Sequence, residues 1–134
     1  MKQATSISER MLEQDAFSRW LGIEIIDQGP GYSKVGMTIR PEMLNGMQKA
    51  HGGITFSLAD SCLAFASNSH GRQAVSIEAS VNHIAALEAG DYITAETSLD
   101  HPTNKLGFQV IEVKRAGELV ALFKGVVYRT KQEW

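Results

Sequence analysis

Hydrophobic positions along this chain change period several times, and each change marks an element. Over residues 6–20, Leu12, Ala16 and Trp20 recur every four positions, flanked by Met11, Phe17 and Leu21. That spacing predicts a short helix with Ser8 as its N-cap. Residues 23–28 and 32–40 then read as two strands around the turn Gly29-Pro30-Gly31. In the second, Val35, Met37 and Ile39 alternate with Lys34, Gly36, Thr38 and Arg40, the pattern of a half-buried strand. Residues 41–50 carry no periodicity. His51-Gly52-Gly53 follows and opens a helix reaching about residue 69. Four more strands are expected near residues 73–84, 91–99, 105–115 and 118–129. Turn signals at Glu88-Ala89-Gly90, His101-Pro102-Thr103-Asn104 and Ala116-Gly117 separate them. Alternation is clear at Val75, Ile77, Ala79 and Val81, and again at Ile93, Ala95, Thr97 and Leu99.

The second helix is the informative one. Ile54, Phe56, Leu58, Ala59, Cys62, Leu63, Phe65 and Ala66 cover most of its circumference, so it must be largely buried. Its polar residues, Ser57, Asp60, Ser61, Ser67 and Asn68, are spaced to form one narrow stripe. One long buried helix and six strands joined mostly by short turns predict an α+β fold, a curved antiparallel sheet wrapped around that helix. At 134 residues the chain is expected to be one domain over 1–134.

Composition narrows the function. Hydrophobic residues make up 43% and charged residues 21%, as in an ordinary globular protein. The net charge of -2, without a run of Lys or Arg, argues against nucleic acid or an anionic membrane as partner. The apolar stretch 54–66 is interrupted by Asp60 and two serines and is too short to span a bilayer. The first residues lead into charged positions without an apolar core, so no secretion signal is read there. A single cysteine, Cys62, excludes an internal disulfide and fits a cytoplasmic protein; its apolar neighbours mark it as core.

Candidate chemistry gathers around the start of the buried helix. The first amides of a helix lack intrahelical partners, and with the positive end of the dipole they suit a carbonyl oxygen that becomes an oxyanion. Gly52 stands there, and a glycine lets a ligand approach the backbone. Asn45 and His51 can both donate hydrogen bonds to the same carbonyl. Each has a plainer reading: Asn45-Gly46 is a common turn, His-Gly-Gly a common cap, and an Asp on a polar stripe is usually just solvated. Asp60 lies eight residues beyond Gly52, about 12 Å along a helix. A catalytic base must come within hydrogen-bond reach of its target, directly or through one water. If both residues serve one site, two copies of the chain must build it.

No Gly-x-Ser-x-Gly elbow, Walker loop or Gly-x-Gly-x-x-Gly is present, and His51, His70, His83 and His101 show no metal-ligand spacing. No cofactor or metal is therefore expected. A carboxylate, a helix N-terminus and water remain.

At these residues the chain resembles a known family. Asn45-x5-His51-Gly52-Gly53 followed by Phe56-Ser57-Leu58-Ala59-Asp60 is similar to the phenylacetate-degradation (PaaI-type) thioesterases of the hotdog superfamily. Phe65-Ala66-x-Asn68-Ser69-x-Gly71, Ala74-Val75 and Val120-Ala121-Leu122-Phe123-x-Gly125 extend the likeness, which covers about residues 21–129. The resemblance implies a hotdog fold and hydrolysis of an acyl-CoA, pointing towards phenylacetyl-CoA or its hydroxylated forms. It implies Asp60 as nucleophile or general base and the Gly52 N–H as oxyanion donor, with Asn45 and His51 assisting across a dimer interface. A hydroxyl on the strand after the helix would place the attacking water, and Ser76 matches it best. Dimers pairing into tetramers are implied too.

One departure stands out. Many members carry an Arg-Pro pair where this chain has Ala85-Ala86, leaving Arg72, Lys105, Lys114 and Arg115 as candidates for the CoA phosphates. Two other readings compete: an enoyl-thioester hydratase or dehydratase of the same fold, which would change a double bond without releasing thiol, and a non-catalytic acyl-CoA sensor. Phe56, Leu63, Phe65 and Met47 read mostly as core rather than as an acyl pocket.

Overall fold

A computed structural model describes residues 4–134, with side chains from Ile7 onward. Two short helices, α1 (Ala4–Gln14) and α2 (Ala16–Leu21), precede strands β1 (Glu24–Gly29) and β2 (Tyr32–Thr38). A single 3-10 turn at Pro41–Met43 leads towards helix α3 (Gly52–Asn68). Strands β3 (Arg72–His83), β4 (Tyr92–Pro102), β5 (Leu106–Arg115) and β6 (Glu118–Glu133) complete the chain. The six strands form one antiparallel sheet in the order β1-β2-β4-β5-β6-β3. Helix α3 lies on one face and touches β2 through β6. This is the expected hotdog arrangement.

Burial explains why α3 sits there. Leu58, Ala59, Cys62, Leu63 and Phe65 are all essentially inaccessible, packed with Val35, Met37, Ile93, Ile111, Val113 and Phe123 of the sheet, and Ala66 is buried too. Each such side chain contributes roughly 1.5–3 kcal/mol of hydrophobic stabilisation. Phe56 closes one side of the cluster, edge-on to Phe123 at 5.4 Å between ring centroids. Burial also raises the Cys62 thiol to about 12, so this cysteine is an inert core residue.

Three local expectations fail for identifiable reasons. The helix expected over residues 6–20 is two helices, because Asp15 breaks it. The Asp15 carboxylate accepts from the Ser18 N–H at 2.9 Å and caps α2. Ser8 is not a cap; it is buried within α1 beside Ser69, with hydroxyl oxygens 3.1 Å apart. The polar stripe of α3 is also shorter than expected. Ser67 and Asn68 are buried, the first bonded back to the Leu63 carbonyl and the second to the Ala64 and Ala74 carbonyls.

Two β-bulges redirect the alternation. One between Ser76 and Glu78 leaves Val75 and Ile77 outside while Ala79 and Val81 pack on the core. Another between Thr97 and Leu99 leaves Ile93 and Ala95 buried but turns Leu99 outward. The edge strand β3 thus shows large apolar side chains, with Val75 54% and Ile77 58% exposed.

Candidate functional site

The loop before α3 is held by its own backbone. The Asn45 N–H donates to Lys49 O at 2.6 Å, and the Asn45 side-chain oxygen accepts from the Met47 and Lys49 amides at 2.8 and 3.2 Å. The His51 N–H donates to Met43 O, and the Ala50 N–H to Leu87 O. These bonds deliver His51 in extended conformation as the N-cap of α3, where its Nδ1 accepts from the Gly53 N–H at 2.9 Å. In a neutral ring that bond places the proton on Nε2.

Gly52 is then the first helical residue. Among the described residues its N–H has no hydrogen-bond partner, as the position dictates. It opens into a cleft of about 360 Å³ lined by Asn45, Gly52, Thr55, His83, Ala85 and Ala86. Two sequence candidates therefore meet, Asn45 and Gly52, and the Asn45 amide nitrogen is left to donate once its oxygen is committed to the turn. His51 departs from them. Its ring lines a neighbouring hollow of about 340 Å³ with Phe17, Trp20, Gly53, Ile54 and Ser57. There Phe17 and Trp20 stack at 6.1 Å, and the Arg40 guanidinium covers Trp20.

Asp60 lies on the same helix, about 12 Å along the axis from Gly52. It is half-buried and lines neither hollow. Burial raises its carboxyl above the ordinary range, and the Asp15 carboxylate on α2 raises it further. No cation offsets either effect among the described residues. The wall beside it is a hydroxyl chain: Ser61 Oγ lies 2.7 Å from Ser18 Oγ, which donates to Asp15 Oδ2 at 2.6 Å. Gly53, Ser57 and Asp60 are spaced by four and three, so they share one face of α3. The Phe17–Trp20 hollow therefore lies on the face that carries Asp60.

Ser76 pairs with buried Val127, so its side chain points to the helix side of the sheet while remaining open at the β3 edge. It does not line the Gly52 cleft. The candidate cations are mostly engaged. Arg115 pairs with Asp91 and Glu118 and donates to Ala86 O, Lys114 pairs with Glu112, and Arg72 donates to Asn104 O. Lys49 alone lines the cleft, paired with Glu88 at 2.6 Å. Of the four residues read mostly as core, Met47 is 79% exposed and lines the cleft.

Two residues of the cleft, His83 and Thr55, were not read from the sequence. His83 ends β3, and its Nδ1 lies 3.2 Å from Thr55 Oγ1. Nothing at position 83 signals this, because it follows Gly52 by a whole helix and strand. Among the described residues no group of acids, histidines and cysteine could hold a metal ion, and no helix is long and apolar enough to cross a membrane.

The chain is similar to proteins already known. Residues 47–122 match the thioesterase superfamily. The acyl-coenzyme A thioesterase PaaI of Escherichia coli is 41% identical over 120 residues, covering 89% of this chain and 86% of that protein. The solved structure of E. coli PaaI, from the phenylacetic acid degradation operon, superposes with a TM-score of 0.93 at 37% identity, over 97% of this chain and 95% of the other. A variant of the phenylacetic acid degradation protein PaaI from Thermus thermophilus superposes at 0.83 with 33% identity, over 87% and 100%.

Proposed function

The chain belongs to the thioesterase superfamily, and from that premise we propose that it hydrolyses aryl-acetyl-type CoA thioesters in a site built by two copies. It is an acyl-CoA thioesterase, releasing free acid and CoA. Phenylacetyl-CoA or hydroxyphenylacetyl-CoA is the substrate class, in keeping with the relatives from phenylacetic acid degradation. The aromatic hollow of Phe17 and Trp20, on the face of α3 that carries Asp60, suits an aryl acyl group.

The reading rests above all on the spacing of Gly52 and Asp60. Both belong to α3, and about 12 Å of helix is too far for one carboxylate to serve a carbonyl held at the Gly52 amide of its own chain. A second copy brings its own Asp60 to that amide. The β3 edge is the natural seam. It is a long, unpaired strand edge with Val75 and Ile77 exposed, the kind of edge that soluble proteins pair or cover. Pairing of dimers into tetramers, and a cytoplasmic setting, complete the proposal.

In the mechanism, the thioester carbonyl accepts from the Gly52 N–H, with the Asn45 amide beside it. Negative charge developing on that oxygen meets the positive end of α3. Asp60 of the opposing copy takes a proton from water as the water attacks, or attacks the carbonyl itself. The carbon–sulfur bond then breaks and the thiolate leaves; in the second case the acyl group remains on Asp60 as an anhydride, which water hydrolyses to release the acid and restore the carboxylate. Ser76, open on the helix side of the β3 edge, is assigned to place the water. His51 supports the start of α3 by capping it and lines the aromatic hollow.

The test is thiol release over a panel of aryl, short-chain and long-chain CoA esters, with Asp60→Asn as control. Aryl-acetyl esters should be preferred, and Asp60→Asn should lose about 100-fold or more in rate while folding and assembling normally. Near-normal turnover by a folded Asp60→Asn protein would reject the role of the carboxylate. A double-bond change without free thiol would mark a hydratase, and ligand-induced stabilisation alone a sensor.

A further inference from the structure

Gly52 adopts no conformation that demands a glycine; its φ is outside the left-handed region. What favours one is the ring beside it. A Cβ at position 52 would stand 2.9 Å from His83 Nε2 and 3.3 Å from its Cε1, so the exposed ring would have to swing aside. The missing side chain thus admits an imidazole nitrogen against the backbone whose amide opens into the cleft. His83 lines that cleft and is exposed to it. Its other nitrogen is engaged: Nδ1 lies 3.2 Å from Thr55 Oγ1, itself 3.1 Å from Gly52 O.

We propose that His83 Nε2–H is a second protein donor to the thioester carbonyl oxygen, beside the Gly52 amide, and that Thr55 is the positioning residue that keeps the proton on that nitrogen. The proposal rests on the thioesterase reading. The Thr55 hydroxyl can donate either to Gly52 O or to Nδ1. The Gly52 carbonyl belongs to the helix ladder and does not depend on the hydroxyl. When Thr55 donates to Nδ1, the neutral ring must carry its proton on Nε2, facing the cleft. A neutral imidazole held this way polarises a carbonyl without the cost of bringing a full charge to the site. Gly52, His83 and Asn45, which carry the amide, the imidazole and the side-chain nitrogen, all line the one cleft.

A ring present only for packing makes a different prediction from a ring present for its proton. His83→Phe keeps a flat ring against Gly52 but has no donor; His83→Gln loses the ring and keeps a donor. Steady-state kinetics with the best CoA ester should show kcat down about 100-fold in His83→Phe with KM little changed, and partial recovery in His83→Gln. Thr55→Val should lower kcat by a smaller factor and cost nothing further once His83 is Phe, because both changes act through one proton. Near-parental kcat in His83→Phe overturns the proposal, and so do equal losses in the Phe and Gln proteins. Should His83→Phe fail to fold, Thr55→Val leaves the ring in place, and an unchanged kcat there overturns it equally. An unmodified protein that releases no thiol from any ester sinks the thioesterase reading itself. Brisk release undiminished in His83→Phe sinks only the role of His83.

Discussion

The first residue of α3 and the ninth make a pair of opposites. Gly52 acts by being bare: no side chain, an amide without an internal partner, and an open cleft in front. Asp60, the proposed base, is enclosed instead, half-buried with another carboxylate near and, among the described residues, no cation to offset it. One end of the helix is arranged to receive negative charge, and the middle is arranged to make negative charge reluctant. A base poised in this way gives up less of its driving force to water than a solvated carboxylate would. The two cannot meet within one chain, because about 12 Å of rigid helix holds them apart. The contrast ties the proposed chemistry to assembly: for both residues to serve one site, a second copy must bring the other half.

The sharpest way to break that pairing is to disable one half in each of two chains. Gly52→Pro removes the amide proton at a helix position that favours proline, after a residue already extended, and its Cβ also pushes the His83 ring aside, so both proposed donors of that half-site are lost. Asp60→Asn removes the base. Each protein alone should fall by about 100-fold or more. Mixed in equal amounts and allowed to exchange subunits, they should recover about a quarter of the parental activity, since half the dimers are hybrids and each hybrid keeps one intact site. A mixture no more active than its components would place both residues of each site in the same chain.

A blunter break parts the two copies. Ile77→Lys sets a charge on the exposed β3 edge, the device by which natural edge strands refuse partners. Sedimentation should show monomer at low protein concentration, with specific activity falling in step with the dimer fraction. A fully active monomer would end the two-copy scheme.

How much of this was legible in the chain follows the same division. The burial of α3 could be read because its apolar residues surround the helix, a purely local pattern. Gly52, Asn45 and Asp60 could be found because they stand on or beside that one element. The direction of Val75, Ile77 and Leu99 could not, because a bulge is decided by the partner strand and leaves no mark in the alternation of its own. His83 was missed for a related reason: only the antiparallel return of β3 along α3 brings it to Gly52. The break at Asp15 was locally encoded, as an aspartate three residues before a serine amide, but Leu12, Ala16 and Trp20 carry a helical period straight through it. Where capping and periodicity conflict, the cap decides the boundary.

The finest test concerns how reluctant Asp60 is made to ionise. Two causes raise its proton affinity: desolvation first, and the charge of Asp15 second. Asp15 also caps α2, accepting from Ser18 through both carboxylate oxygens. Asparagine caps nearly as well as aspartate, so Asp15→Asn should leave the helix in place; it removes the charge, and the bond to the Ser18 hydroxyl must reverse because the amide nitrogen donates. A base works when ionised, so activity rises with pH through its proton affinity, and raising that affinity moves the acid limb of kcat/KM upward. Taking away the Asp15 charge should therefore move the limb to lower pH. The limb should still stay above the range of a free carboxylate, because the larger cause, burial, is untouched. Profiles recorded on both proteins with one CoA ester decide the matter. A limb that stays fixed would mean that the two carboxylates do not sense each other, and a limb that moves upward would mean that a group other than Asp60 governs it.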